Sequence, residues 1–113
     1  MPRTQNDLIQ RSLEMLNALA AGQSPSPEDG QNIRGHIAST LPRLEARGIL
    51  YVPEVEEIDD EVFEDLATLV ADSARPSYGQ PRDPDQRLRA EWSLREMQGG
   101  DGAGTNTIRA TYY

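Results

Sequence analysis

The stretch "EVEEIDDEVFED" holds the densest set of groups that could do chemistry. Glu54, Glu56, Glu57, Asp59, Asp60, Glu61, Glu64 and Asp65 fall within twelve positions. Carboxylates in that number first raise calcium binding. A calcium loop needs oxygen ligands at fixed spacing and a glycine for its sharp turn. Neither is present, and Val62 and Phe63 interrupt the run. A glycosidase pair is the second option, and it needs one carboxyl held in a cleft with a raised pKa. A crowded run of carboxylates gives no sign of such a cleft. The reading that remains is a solvated acidic face, which also favours the start of a helix through its dipole.

The other reactive residue types are sparse. His36 is the single histidine, and zinc wants about four ligands, so a structural or surface role is expected for it. The chain has no Cys, which removes thiolate chemistry. All eleven basic residues are Arg, so a phosphate loop with its Lys is absent. No nucleophile motif is found. The chain therefore reads as a non-enzyme, with no catalytic, cofactor-binding or metal-ligating residue assigned. A second charged set has the opposite sign: Arg82, Arg87, Arg89 and Arg95 cluster around what reads as the last helix. The acidic run and this basic helix could pair within one chain, or head-to-tail between neighbours.

The elements that must position these residues follow from periodicity. The 113 residues fit one domain, and a composition of 36% hydrophobic residues allows only a small helical core. The net charge of −8 argues against a nucleic-acid-binding surface. The polar, amphipathic start lacks the apolar core of a signal peptide, and no stretch approaches the roughly 20 apolar residues of a membrane span. No membrane partner is expected.

"TQNDLIQRSLEMLNALAAG" reads as a first helix, with Thr4 as N-cap, Leu8, Ile9, Leu13, Leu16 and Leu19 on one stripe, and Gly22 as its stop. Ser26 and Pro27 open a second helix carrying Ile33, Ile37, Leu41 and Leu44 and ended by Gly48. Pro42 predicts a bend or break near residues 39–42. "GILYVPEV" reads as an extended connector. Asp59 caps a third helix in which Ile58 staples onto Phe63, with Val62, Leu66, Leu69 and Val70 on the apolar stripe. "RPSYGQPRDPDQ" reads as a loop ending in a capping box of Asp83 and Gln86, with Pro84 at the first helical position. The fourth helix is expected to bury Leu88, Trp92 and Met97. The fold class is therefore all-α: a small bundle of about four helices over residues 1–98.

Residues 99–113 read as a glycine-rich tether followed by an extended arm. In "TIRATYY", Ile108, Ala110 and Tyr112 share one face of a strand, and Thr107, Arg109, Thr111 and Tyr113 the other. A tethered strand can add to the sheet edge of another chain, and tethering raises its local concentration.

The order of these parts resembles the head-to-tail adaptors of tailed bacteriophages, in particular the tail accessory factor or packaged-DNA-stabilization family of short-tailed phages. The likeness is carried by an opening helix with Asp7, Leu8, Ile9, Leu13 and Leu16. The Ser/Pro/Glu/Asp linker Ser24 to Asp29 follows, then the turn Ala46, Arg47, Gly48, Ile49. An "IDDE.F..LA.L.A" helix from Ile58 to Ala71 and a last, Arg-rich helix complete it. It covers residues 6–98 and lies in order and spacing more than in any one motif. The chain departs from the family in lacking a long C-terminal extension and in having Pro42 inside its second helix.

The resemblance implies a virion structural protein at the head–tail junction, assembled in the host cytoplasm. It implies a homo-oligomeric ring, usually twelvefold, under the portal protein, which extends the DNA channel, helps retain packaged DNA and offers a platform to the tail or nozzle protein. The arm Thr107–Tyr113 would then reach the portal or a neighbouring adaptor. The acidic residues Glu54, Glu56, Glu57, Asp59, Asp60 and Glu61 would line the channel or a subunit interface, and Arg82, Arg87, Arg89 and Arg95 a subunit interface. DNA would pass nearby without specific binding, because acidic walls repel phosphate. The alternative is an acidic, non-viral interaction module, an inhibitor or DNA mimic. A cell-wall hydrolase using the carboxylates of Glu54 to Asp65 is the third option.

Overall fold

Thr4 begins the first helix as the sequence requires. Its hydroxyl accepts from the Asp7 backbone N–H at 3.2 Å, and the Asp7 carboxylate accepts from the Thr4 N–H at 3.0 Å. Two of the orphan donors of the helix start are thus satisfied reciprocally. The computed structural model describes residues 3–20 and 22–100, the last three of these by backbone alone. Four α-helices, α1 (Gln5–Met15), α2 (Pro27–Ala46), α3 (Asp60–Ala74) and α4 (Pro84–Gly100), make an all-α bundle. A 3₁₀ turn, Arg75–Tyr78, lies within the segment expected to be only loop.

α1 ends at Met15, well short of Gly22. Asn17 takes the left-handed position, with φ 59°, that the expected glycine stop would have supplied. The Ala18 N–H reaches the Leu13 carbonyl and the Asn17 N–H the Glu14 carbonyl, both at 3.0 Å, closing a Schellman motif. Asn tolerates this conformation better than most residues, since its short polar side chain bonds locally. Gly48 closes α2 in the same way, with φ 69°, and Ile49 at the following position packs into the core beside Leu44.

α2 runs unbroken through Pro42, so the expected break does not occur. Pro42 lies on the exposed side of the helix, four residues from its end. There the missing N–H is lost where water can serve the freed carbonyl.

α3 is the centre of the bundle and packs against each of the other three helices. Val62, Phe63, Leu66, Ala67, Leu69, Val70, Ala71 and Ala74 are all buried along it. Ile58 and Phe63 are both in the core, as a hydrophobic staple requires. An isolated antiparallel bridge, Arg3 to Ile58, ties the chain before α1 to the residue before the Asp59 N-cap. The Arg3 guanidinium lies 4.4 Å from the centroid of the Phe63 ring, a cation–π distance.

Of the residues expected to be buried on α4, only Met97 packs against the core, and the rest of the buried face differs. Ala90 and Leu94 are in the core and Met97 is partly buried, whereas Leu88 and Trp92 are 53% and 64% exposed. The helix also runs two residues into the glycine-rich stretch, to Gly100.

Candidate functional site

α2 and α4 both lie on α3 but do not pack against each other. The cleft between them has a volume of about 320 Å³. Leu69, Asp72 and Ser73 of α3 form its floor. Its walls carry Arg43 and Arg47 from α2 and Arg82, Arg87 and Glu91 from the α4 side. On a chain of net charge −8, four guanidinium groups therefore face one hollow that holds only two carboxylates.

Both carboxylates are buried and both are engaged. Asp72 is fully buried, and its Oδ2 accepts from Arg82 Nε at 3.0 Å and from Arg82 Nη2 at 2.9 Å. Its Oδ1 accepts from the Asp83 backbone N–H at 2.8 Å. That bond explains why the capping box of α4 forms only by half. Asp83 Oδ1 accepts from the Gln86 N–H at 3.2 Å, but the Asp83 N–H belongs to Asp72 and the Gln86 side-chain oxygen accepts from Arg75 Nη2 at 2.8 Å. Glu91 accepts two bonds from Arg47, at 2.9 and 3.2 Å, and a third from Arg87 at 3.3 Å. The bidentate Arg47–Glu91 pair joins the end of α2 to the middle of α4 across the cleft. Such fork geometry is the strongest form of a carboxylate–cation bond.

His36 stands beside this cleft, half-buried, with Nδ1 3.0 Å from Ser73 Oγ. Burial first, and the nearby Arg82 charge second, hold its imidazole below the ordinary value of 6.5.

The outer face of α4 continues the basic surface. A smaller hollow of about 150 Å³ is lined by Arg47, Leu88, Glu91, Trp92 and Arg95. Arg43, Arg89 and Arg95 have no ion-pair partner among the described residues. The basic cluster expected from sequence is Arg82, Arg87, Arg89 and Arg95. The structure adds Arg43 and Arg47 from α2, and it divides the four. Arg82 ties the start of α4 to α3 and Arg87 pairs with Glu91 within α4, whereas Arg89 and Arg95 face solvent.

The acidic residues lie elsewhere. Glu54, Glu56, Glu57, Asp59, Asp60 and Glu61 are all exposed. Arg3 Nε meets Asp60 at 3.0 Å, and Arg11 of α1 meets Glu64 at 3.0 Å. Glu56 Oε1 accepts from the Gln5 N–H at 3.4 Å. Among the described residues, no ion pair joins this acidic segment to α4. Pairing within one chain, one of two options open at the level of sequence, is thus not seen among the described residues. No described group of three or more His, Cys, Asp or Glu side chains is arranged to hold a metal ion, and no described helix is long and apolar enough to cross a membrane. The proposed arm, Thr107 to Tyr113, lies outside the described residues.

Comparison with known proteins returns no similarity: no family model, no curated protein and no solved structure matches the chain.

Proposed function

We propose that this chain is a head-to-tail adaptor of a tailed-phage virion, a structural subunit that forms a ring beneath the portal and receives the tail. The observation that carries the reading is the separation of charge along a bundle whose parts follow the adaptor order. An acidic connector precedes α3 and a basic face lies on α4, and among the described residues no ion pair joins the two. A subunit with two unlike, complementary surfaces is suited to repeat head-to-tail around an axis. Support also comes from the Ala46–Ile49 turn, which closes α2 by a Schellman motif and leads into the connector. An excess of negative charge suits a channel that DNA must traverse without being held. In this role the arm Thr107–Tyr113 contacts the portal or a neighbouring subunit, and the chain performs no reaction.

The test is to mix the purified full chain with portal-bearing, DNA-filled heads that lack tails. Ring density below the portal in electron micrographs is the expected result. Heads that stay bare at saturating protein would refute the role. The net charge of −8 also favours a second reading, an acidic inhibitor or DNA mimic. That reading requires a small oligomer in size-exclusion chromatography that captures a basic partner protein.

A further inference from the structure

Among the described residues, three large apolar side chains stand out in solvent, and they are divided between two places of opposite charge. Leu88 and Trp92, one turn apart on α4, stand beside Arg47, Glu91 and Arg95, and Arg89 lies three residues before Trp92 on the same helix. Tyr51, 59% exposed, stands on the connector just ahead of Glu54, Glu56 and Glu57. We propose that these are the two halves of one interface between copies of the chain: the connector Tyr51–Glu57 of one copy seats on the Leu88–Trp92 face of the next.

Charge complementarity selects the occupant. The α4 face offers two unpaired guanidinium groups, and the connector offers carboxylates of which Glu54, Glu56 and Glu57 have no cationic partner among the described residues. Each half also brings an exposed aromatic ring. Aromatic and Arg side chains are the groups that anchor protein interfaces, and the charges around them fix the register. The connector is irregular rather than helical, and the Glu57 N–H closes a turn onto the Glu54 carbonyl at 3.0 Å, which gathers its carboxylates in one place. A second copy supplies the acidic half at equal stoichiometry. Because the two halves differ, the contact is heterologous, and its repetition closes a ring or runs on as a filament. The closure into a ring rests on the adaptor reading; the contact itself does not.

The absence of Cys from the chain allows a clean cross-linking test. Pro53→Cys places a thiol in the connector, and Glu96→Cys places one a single turn beyond Trp92; both positions are exposed. With a short bis-maleimide at low micromolar protein, either variant alone should stay monomeric. Their mixture should give a covalent dimer, and the double variant should give a ladder. Adding Arg89→Glu and Arg95→Glu should cut the cross-linked yield about tenfold, and pairing that chain with one carrying Glu54→Arg, Glu56→Arg and Glu57→Arg should restore it.

A double variant that yields only monomer overturns the interface, as does a single variant that dimerises with itself, since that contact would be isologous. The adaptor reading fails separately. A ladder from a chain that never occupies heads leaves the interface standing and removes the virion role. Ring density on heads without a ladder does the reverse.

Discussion

Asp72 and Arg82 are joined by two hydrogen bonds onto one carboxylate oxygen, at 3.0 and 2.9 Å, with the carboxylate fully buried and the guanidinium half-exposed. The same carboxylate accepts from the Asp83 N–H. Asp72 thus fastens the last turn of α3 to the residue that caps α4, and the bond sets where α4 begins. Removing one partner of a buried pair costs about 3–5 kcal/mol, because the other charge is left without compensation. Arg82→Ala is therefore expected to lower stability by about 3 kcal/mol, toward the low end because Arg75 and the Asp83 N–H still face the carboxylate. Urea denaturation followed by circular dichroism measures it. A loss below about 0.5 kcal/mol, the range of an ordinary surface change, would contradict the role given to this pair.

The register of α4 is testable by two substitutions only two positions apart, on opposite faces of the helix. Leu94 is buried and Trp92 is 64% exposed. Leu94→Ala should cost about 2–5 kcal/mol, as core truncations do. Trp92→Ala should stay within about 0.5 kcal/mol in the dilute monomer. The reverse order would restore the face expected from sequence.

Ser12 is fully buried in α1, and its Oγ has no hydrogen-bond partner. An unsatisfied buried hydroxyl costs about 1–3 kcal/mol. Ser12→Ala should raise stability by about 1 kcal/mol, aided by the better helix propensity of Ala. Thermal unfolding would show a higher midpoint; a lower one would reveal a partner for this hydroxyl in solution.

His36 gives the bundle a pH dependence near neutrality. Its imidazole is held below 6.5, first by burial and then by Arg82, so the unfolded chain takes up a proton that the folded chain resists. Stability from this group is complete above the unfolded value of 6.5 and is lost as pH falls below it toward the folded value. Melting midpoints between about pH 8 and pH 5.5 should fall on acidification, before most carboxylates titrate. His36→Gln should flatten that segment of the curve. An unchanged slope in the variant would assign the effect to other groups.

Deleting Thr105 to Tyr113 bears on the adaptor proposal. The helical circular dichroism of the body should persist, because the core of α1 to α4 is made by residues up to Met97. Occupancy of portal-bearing heads should drop sharply. A docked strand gains several hydrogen bonds at about 0.5–1.5 kcal/mol each, against an ordering cost of about 1–2 kcal/mol per residue. The bonds alone do not cover that cost, so on the adaptor proposal a docked arm would also have to bury its apolar side chains, with the small surplus per copy multiplied around the ring. Full occupancy by the truncated chain would remove the arm from the assembly role.

The sequence by itself determined the features that rest on neighbours a few positions apart. Thr4 and Ser26 cap α1 and α2 where their hydroxyls meet the N–H groups of Asp7 and Asp29, three residues on. Gly48 ends α2, and the stripes of α1 to α3 are buried except for Leu41, partly buried, and Leu19, which packs on the core from beyond the end of α1, because a helix projects residues at i, i+3 and i+4 to one side whatever lies opposite. The end of α1 at Asn17 was less legible, since a left-handed Asn carries a weaker signal than Gly.

Only the tertiary structure decided the face of α4 and the fate of the charges. Two stripes were available on that helix, one through Leu88 and Trp92 and one through Ala90, Leu94 and Met97. Hydrophobicity favours the first, because its side chains are larger. The second is buried because Asp72 holds Arg82 and Asp83 from below while Arg47 takes Glu91 from the side. Those partners lie between 10 and 44 residues apart in the chain, beyond the reach of any local pattern. The rotation they impose turns Leu88 and Trp92 out into solvent beside Arg95, while Asp60 and Glu64 of α3 meet Arg3 and Arg11 in another part of the bundle.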